Sequence, residues 1–325
     1  MMMKFLVRSL VLLTVAFTAT AASAAEKVTF LLPAPAILPA FAPYQLAKSQ
    51  GYYDAEGLDV DFKVAKGGVD VATQVAVGNA ELGGAIGDTS IIVRSNGVLV
   101  KGVALLGGQA LTQIIARKDR NIEKLADLKG KTIGVLSYQE SAFYNLLGVL
   151  ANAGLSRSDV SIQAVGPAGL VQLMAANKLD AICAAPDFGV AIAGNGVEVN
   201  YLSINDAFPA MAQAIVASDA IIAKNPKLIR GFVKATLKAV DDIKADPAKA
   251  AAAFVAAIPQ QAGKQKAVEA IMRRYVELVY PLDKGVAPGA FEPKRVDAVA
   301  KFYMAHNLIS KPVDPATVYT NDFVK

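Results

Sequence analysis

Short β-type runs alternate with helical patterns along most of this chain, which argues for parallel sheets covered by helices. Residues 28–32 read as the first strand, followed by a Pro-rich loop over 33–43 and a helix ending at Ser49. The next strand is 58–64. Gly67-Gly68 then turns the chain into a helix over 69–77, and 82–85 returns as a strand. Asp88 is placed to cap a helix running to Ser95, with strands at 100–106 and 113–117 beyond it.

A second series begins after Arg117. A short helix over 125–129 precedes strand 132–135 and helix 141–153, and strands 161–165 and 181–184 flank a helix over 168–177. The apolar run 212–217 mirrors 113–115 and reads as the return crossing between two lobes. From Asp219 onward the pattern is helical and Ala-rich, with Pro226, Pro247 and Pro293 each placed to start a helix. The expected fold class is α/β: residues 26–115 plus 215–325 as lobe 1, 116–214 as lobe 2, and two crossover strands between them.

Residues 1–24 read as a signal peptide. Lys4 and Arg8 supply the positive start, an apolar run covers 10–22, and Ala22-Ser23-Ala24 fits the small-x-small cleavage pattern. The apolar run is short for a span of about 20 residues, so a retained N-terminal anchor is the alternative. Export to the periplasm is expected, with the mature chain starting near Ala25. The one cysteine, Cys183, lies far from that junction, so neither a lipid anchor there nor an internal disulfide is expected. The fold must therefore rest on its core, and 54% hydrophobic residues make that feasible. Cys183 sits in the apolar run 181–185 and reads as buried packing, with a reactive thiol as the alternative. Removing Lys4 and Arg8 from 33 basic residues leaves 31 against 28 acidic, a net charge of +3. No basic stripe interleaved with aromatics occurs, which argues against nucleic-acid binding.

Catalytic chemistry has few candidates. His306 is the only histidine and lies on an amphipathic C-terminal segment with Phe302 and Tyr303. With one His and one Cys, a zinc site has no ligands beyond carboxylates, and His306 would have to reach a cleft from the last helix to serve a nucleophile. Gly83-Gly84 and Gly107-Gly108 lack the spacing that cradles a dinucleotide, and no phosphate loop is present. Asp241-Asp242 lies on what reads as a solvated helix face. No catalytic residue, metal site or cofactor is expected, and binding is favoured over turnover.

The loops after strands carry more. In open α/β sheets, ligands sit beyond the carboxyl ends of the strands. Candidate binding residues there are Pro35, Phe41 and Tyr44 in the first loop and Asp88 and Thr89 after the strand 82–85. Ser137, Tyr138, Glu140 and Ser141 follow the strand 132–135, and Asp187 and Phe188 follow 181–186. Each acid or hydroxyl also has a local reading: Asp88, Ser141 and Asp187 as helix caps, Glu140 as a complement to a helix dipole. Aromatic and polar groups at several strand ends suit a small-ligand pocket, which needs apolar walls and few polar anchors.

The segment Ala47-Lys48-Ser49-Gln50-Gly51-Tyr52-Tyr53-Asp54-Ala55-Glu56-Gly57-Leu58-Asp59-Val60 resembles the nitrate/sulfonate/taurine-type ABC binding proteins, which carry a Gly-aromatic-aromatic, Glu-Gly-Leu-x-Val junction here. The resemblance continues at Val77-Gly78-Asn79-Ala80-Glu81-Leu82-Gly83 and at Leu125-Ala126-Asp127-Leu128-Lys129-Gly130-Lys131-Thr132-Ile133-Gly134-Val135. Leu179-Asp180-Ala181, leading to Pro186, and Lys224-Asn225-Pro226 extend it over nearly the whole mature chain. It implies a bilobed periplasmic-binding-protein fold with a cleft that closes on its ligand, an ABC permease as partner, and a monomer. The group includes binders of nitrate, sulfonates, taurine and thiamine-type pyrimidine precursors. Its eukaryotic relatives include pyrimidine-forming enzymes that depend on a Cys-rich motif and an active-site His, and this chain has neither.

One departure bears on the ligand. Anion-binding members have a Gly-Ser opening to the helix after the Ile-Gly-Val strand, suited to an oxyanion; here the stretch is Ser137-Tyr138-Gln139-Glu140-Ser141. Asp88, Glu140 and Asp187 with no Arg or Lys in these loops point to a neutral or amine-bearing ligand, heteroaromatic and stacked against Tyr44, Tyr138 or Phe188. The alternatives are sulfonate, taurine or nitrate binding with the carboxylates turned away, a pyrimidine-related enzyme on the same fold, and a sensor partner for a membrane receptor.

Overall fold

The computed structural model describes residues 24–205 and 207–324; of the expected signal peptide, residues 1–23 lie outside the described residues. The first part of the chain forms β1 (Glu26–Leu32), α1 (Ala42–Ser49), α2 (Tyr52–Ala55), β2 (Leu58–Val64), α3 (Gly68–Ala76), β3 (Leu82–Ile86), α4 (Thr89–Arg94) and β4 (Val100–Leu105). The second forms β5 (Gln113–Arg117), β6 (Thr132–Val135), α5 (Ser141–Asn152), β7 (Ser161–Ala164), α6 (Gly166–Ala175), β8 (Ala181–Ala184), α7 (Pro186–Ala193) and β9 (Val199–Leu202). The return forms β10 (Gln213–Ser218), α8 (Asp219–Lys224), α9 (Pro226–Ala245), α10 (Pro247–Ala257), α11 (Gln265–Leu278) and α12 (Pro293–Ala305).

Two sheets result, ordered β2-β1-β3-β10-β4 and β7-β6-β8-β5-β9. The two orders are the same pattern: in each sheet, the strand next to the outer edge is contributed from across the molecule. β5 pairs antiparallel with β8 and β9, and β10 pairs antiparallel with β3 and β4. The sheets are therefore mixed rather than parallel throughout, because the visiting strand enters each one from the opposite lobe. The chain crosses at residues 106–112 and again over 203–205 and 207–212, and β5 already belongs to the second sheet at Gln113. β3, β5, β8 and β10 are buried at every residue, and apart from Gln113, Arg117, Gln213 and Ser218 at the ends of β5 and β10 their sequences are apolar: helices cover both faces. β9 is a short, half-buried edge strand that the sequence pattern did not announce.

Local chemistry sets the helix starts. Asn225 Oδ1 accepts from Leu228 N at 3.2 Å and Pro226 follows at the first position of α9; Asp246 Oδ1 accepts from Ala248 N and Lys249 N ahead of Pro247 in α10. The first lobe is centred on an aromatic stack, with Phe232 4.7 Å from Phe30 and 4.8 Å from Tyr53, and Tyr44 4.6 Å from Phe30. α1, α9, α10 and α11 cover this core. α12 packs elsewhere. Its Val296, Val299 and Tyr303 join Leu146 and Val149 of α5 in the second lobe's core, with Tyr303 stacked on Phe208 at 5.3 Å. Among the described residues no helix is long and apolar enough to cross a membrane.

α12 also holds the crossing. Arg295 Nη1 donates to Gly108 O at 2.8 Å, and its Nε and Nη2 reach Pro209 O, Ala210 O and Asn205 Oδ1. Asn205 Oδ1 in turn accepts from Ala110 N at 2.9 Å. One guanidinium thus ties both crossover segments together.

Candidate functional site

The carboxyl ends of β1, β3, β6 and β8 face one another between the lobes and bound a small cavity of about 60 Å³. Its walls are mostly apolar: Leu38, Phe41, Ile86, Leu111, Leu136 and Phe188. The polar groups on it are Tyr44, Glu140, Asp187 and Gln213, and among the described residues no Lys or Arg lines it. Two further recesses adjoin. One shares Glu140 and Leu136 and includes Pro35 and Ser137; the other shares Asp187 and Phe188 and runs between α7 and α11.

The lobes meet around this cavity through hydrogen bonds. Gly67 adopts φ +110, a left-handed conformation that favours glycine, and the turn brings Gly68 N to within 3.2 Å of Glu140 Oε2. Val69 N donates to Gln139 O at 3.4 Å, the hydroxyls of Thr89 and Ser141 bond to each other, and Tyr275 donates to Asp187 Oδ1 at 3.1 Å. These contacts join residues of opposite lobes, so the arrangement is a closed one.

Burial dominates the electrostatics. The Glu140 carboxyl is pushed up to about 7 by desolvation, with the Gly68 N–H offsetting part of it. Asp187 is raised to about 6 for the same reason, offset by the Tyr275 hydroxyl. Asp88 also rises to about 6 through burial, against the opposing pull of Met211 N–H, Tyr303 and Arg295.

Phe41, Tyr44, Glu140, Asp187 and Phe188 line the central cavity, and Pro35 and Ser137 line the adjoining recess. Four of the residues proposed from the sequence stand elsewhere. Asp88 is fully buried away from the cavity: its Oδ1 accepts from Met211 N at 2.8 Å, and the Tyr303 proton is shared between Asp88 Oδ2 (3.1 Å) and Asn145 Oδ1 (2.7 Å). It occupies the capping position of α4 without capping it. Thr89 and Ser141 spend their hydroxyls on each other. Tyr138 is 45% exposed, packs edge-on against Phe143, and donates to Ile162 O at 3.1 Å. Tyr44 is a wall residue whose ring lies 4.6 Å from that of Phe30. Asp187 and Phe188 lie in the first turn of α7, behind Pro186, rather than in a loop.

Gln213 was missed. It opens β10, lines the cavity and is 5% exposed; a polar residue heading the apolar run 214–217 was the available signal. His306 is exposed just beyond α12 and lines no part of the cavity. Cys183 is buried, as read from the sequence, and burial pushes its thiol up to about 12. Among the described residues no group of three or more His, Cys, Asp or Glu could hold a metal.

Comparison with known proteins places this geometry. The riboflavin-binding protein RibY of Chloroflexus aurantiacus is 31% identical over 292 residues, spanning 87% of this chain and 82% of RibY. The 4-amino-5-hydroxymethyl-2-methylpyrimidine phosphate synthase THI11 of Saccharomyces cerevisiae is 26% identical over 259 residues, 72% of each chain. Among solved structures, the alkanesulfonate-binding protein SsuA of Xanthomonas axonopodis pv. citri, bound to MOPS, superposes with a TM-score of 0.73 at 19% identity over 92% of this chain and 100% of that one. The fold is the bilobed one of periplasmic binding proteins. The profile of the family described as NMT1/THI5 like matches residues 38–250, and the chain belongs to that family.

Proposed function

We propose that this protein is an exported solute-binding component of an ABC importer that closes around a neutral or amine-bearing heteroaromatic molecule of the flavin or pyrimidine class. The observation that carries the ligand class is the cavity itself: aromatic and aliphatic walls, two buried carboxyls and, among the described residues, no basic one, with Lys66 and Lys264 only on the adjoining recesses. An isolated sulfonate or nitrate placed there would face like charge in a partly desolvated site, where close charges interact far more strongly than in water. A flat ring system instead matches the apolar walls with few polar anchors. The relative named for riboflavin binding supports the same class.

The synthase relatives favour a second reading, a pyrimidine-related enzyme on this fold. Against it stand an exposed His306 and a buried Cys183 whose thiol is held protonated, neither of them on the cavity. A thermal-shift panel of riboflavin, 4-amino-5-hydroxymethyl-2-methylpyrimidine, taurine, alkanesulfonates and nitrate tests the ligand class. Ligand at about 100 times its dissociation constant stabilises by roughly 2.7 kcal/mol. Stabilisation by taurine or nitrate alone would overturn the proposal. Recovery of a chemically altered heterocycle would favour the enzyme.

Export and partnership belong to the same proposal. Lys4, Arg8, the apolar run 10–22 and Ala22-Ser23-Ala24 support cleavage after Ala24, release of a soluble monomer into the periplasm, and delivery to an inner-membrane permease. Mass spectrometry of the periplasmic fraction is expected to show a chain starting near Ala25; an intact Met1 there would contradict export with cleavage.

A further inference from the structure

We infer that Gln213, together with Tyr44, selects ligands that present an N–H or O–H donor to the first-lobe wall of the cavity; this rests on the heteroaromatic reading above and narrows it. Gln213 Nε2 donates to Ala40 O at 3.0 Å, which fixes the amide and turns its Oε1 into the group left over. That oxygen is buried and has no hydrogen-bond partner among the described residues, and the Tyr44 hydroxyl is in the same condition. Both residues line the cavity and are at least nine-tenths buried, Gln213 at 5% and Tyr44 at 1% exposure. They share one corner of the fold, because Ala40, which holds Gln213, lies just before the helix that carries Tyr44.

The chemistry of the pair is specific. An amide oxygen only accepts, and the N–H groups that could have reversed its role sit on the nitrogen already held by Ala40. A buried acceptor without a partner is costly, so a ligand that supplies a donor is favoured and one that cannot is penalised. The Tyr44 hydroxyl accepts or donates, so it can serve a neighbouring carbonyl. A ring N–H flanked by a carbonyl, as in an imide or pyrimidinone edge, meets both groups. Sulfonate and nitrate offer acceptors alone. Gln113, the matching first residue of β5, has the same orphaned oxygen and the same use of its nitrogen, on Ala110 O, but does not line this cavity. The site, rather than the residue type, confers the role.

Affinities of the full mature chain for riboflavin and for N3-methylriboflavin test this, alongside Gln213→Leu, Tyr44→Phe and Gln113→Leu. N-methylation is expected to weaken binding to the wild type roughly 10–100-fold, since a site built to accept a donor rejects the analogue that lacks it. Gln213→Leu is expected to weaken riboflavin by a similar factor and to abolish most of the methyl penalty, the non-additivity of two partners in one bond. Gln113→Leu should leave both affinities within about twofold, as expected for a residue outside the contact. The wild-type comparison needs no substitution, so it stands even if a variant fails to fold. Equal affinity for the two flavins, or a full methyl penalty persisting in Gln213→Leu, overturns the role of Gln213 while leaving the heteroaromatic reading in place. No binding of riboflavin by the wild type overturns the role of Gln213 stated here, and no binding of 4-amino-5-hydroxymethyl-2-methylpyrimidine as well overturns the heteroaromatic reading.

Discussion

Affinity for an uncharged ligand should weaken as pH rises, and Glu140→Gln should remove most of that dependence near neutrality. Glu140 is buried in the closed arrangement, with Gly67 and Gly68 of the opposite lobe against its carboxyl. Opening the cleft rehydrates it and returns it towards its ordinary value of 4.5; closure raises it to about 7. The closed form therefore holds the proton more tightly. Its contribution to closure is fully present below pH 4.5 and is lost as pH rises to about 7, after which the penalty is constant. At about 1.4 kcal/mol per pH unit, the change is at most roughly 3 kcal/mol, or a few hundred-fold in apparent dissociation constant. Glutamine keeps an oxygen for Gly68 N and does not titrate. Asp187 acts in the same sense, from 3.8 to about 6, and remains in the variant. Isothermal titrations with riboflavin at several pH values should show the wild type still losing affinity above pH 6 and the variant flat there. Parallel profiles for the two proteins above pH 6 would refute the assignment of this proton to cleft closure.

Three further outcomes follow from the packing. Arg295→Met should lower stability in urea by about 3 kcal/mol, because four acceptors on the two crossover segments lose a partly buried guanidinium together; a loss below about 0.5 kcal/mol would show that the crossing holds without it. Gly107→Ala should cost upwards of about 2 kcal/mol, since its Cβ would stand 2.2 Å from Val279 O, a backbone atom with little freedom to yield; an unchanged denaturation midpoint would contradict that close approach. The Cys183 thiol, buried and pushed up to about 12, should resist a thiol reagent in the native protein at pH 8 and react on unfolding; prompt labelling of the folded chain would place it wrongly.

What the sequence made legible was the part that periodicity and punctuation encode. The βα alternation, the matched runs at Gln113 and Ala212 and the proline-led starts of α9, α10 and α12 all follow from apolar patterning and caps. β9 was hidden because an edge strand with every residue half-buried has no clean alternation. The visiting strands could be seen, but their antiparallel pairing could not, since register with a strand 65 to 135 residues away leaves no local mark. The site divides the same way. Strand-end position brought Phe41, Glu140, Asp187 and Phe188 to the cavity. Side-chain direction decided the rest. Asp88 turns to partners 123 and 215 residues along the chain, and Tyr138 turns outward onto Phe143. Gln213 was overlooked because its meaning depends on Ala40 O, 173 residues earlier.

The central claim, that the inter-lobe cavity takes an uncharged or amine-bearing heterocycle and returns it unchanged, is tested most directly by calorimetric titration of the mature chain with riboflavin, 4-amino-5-hydroxymethyl-2-methylpyrimidine, taurine and nitrate, followed by mass spectrometry of the recovered ligand. The account predicts one saturable site for a heterocycle, a negative heat-capacity change from burying apolar walls, and recovery of the same molecule. Saturable binding of taurine or nitrate with no heat from either heterocycle would contradict it.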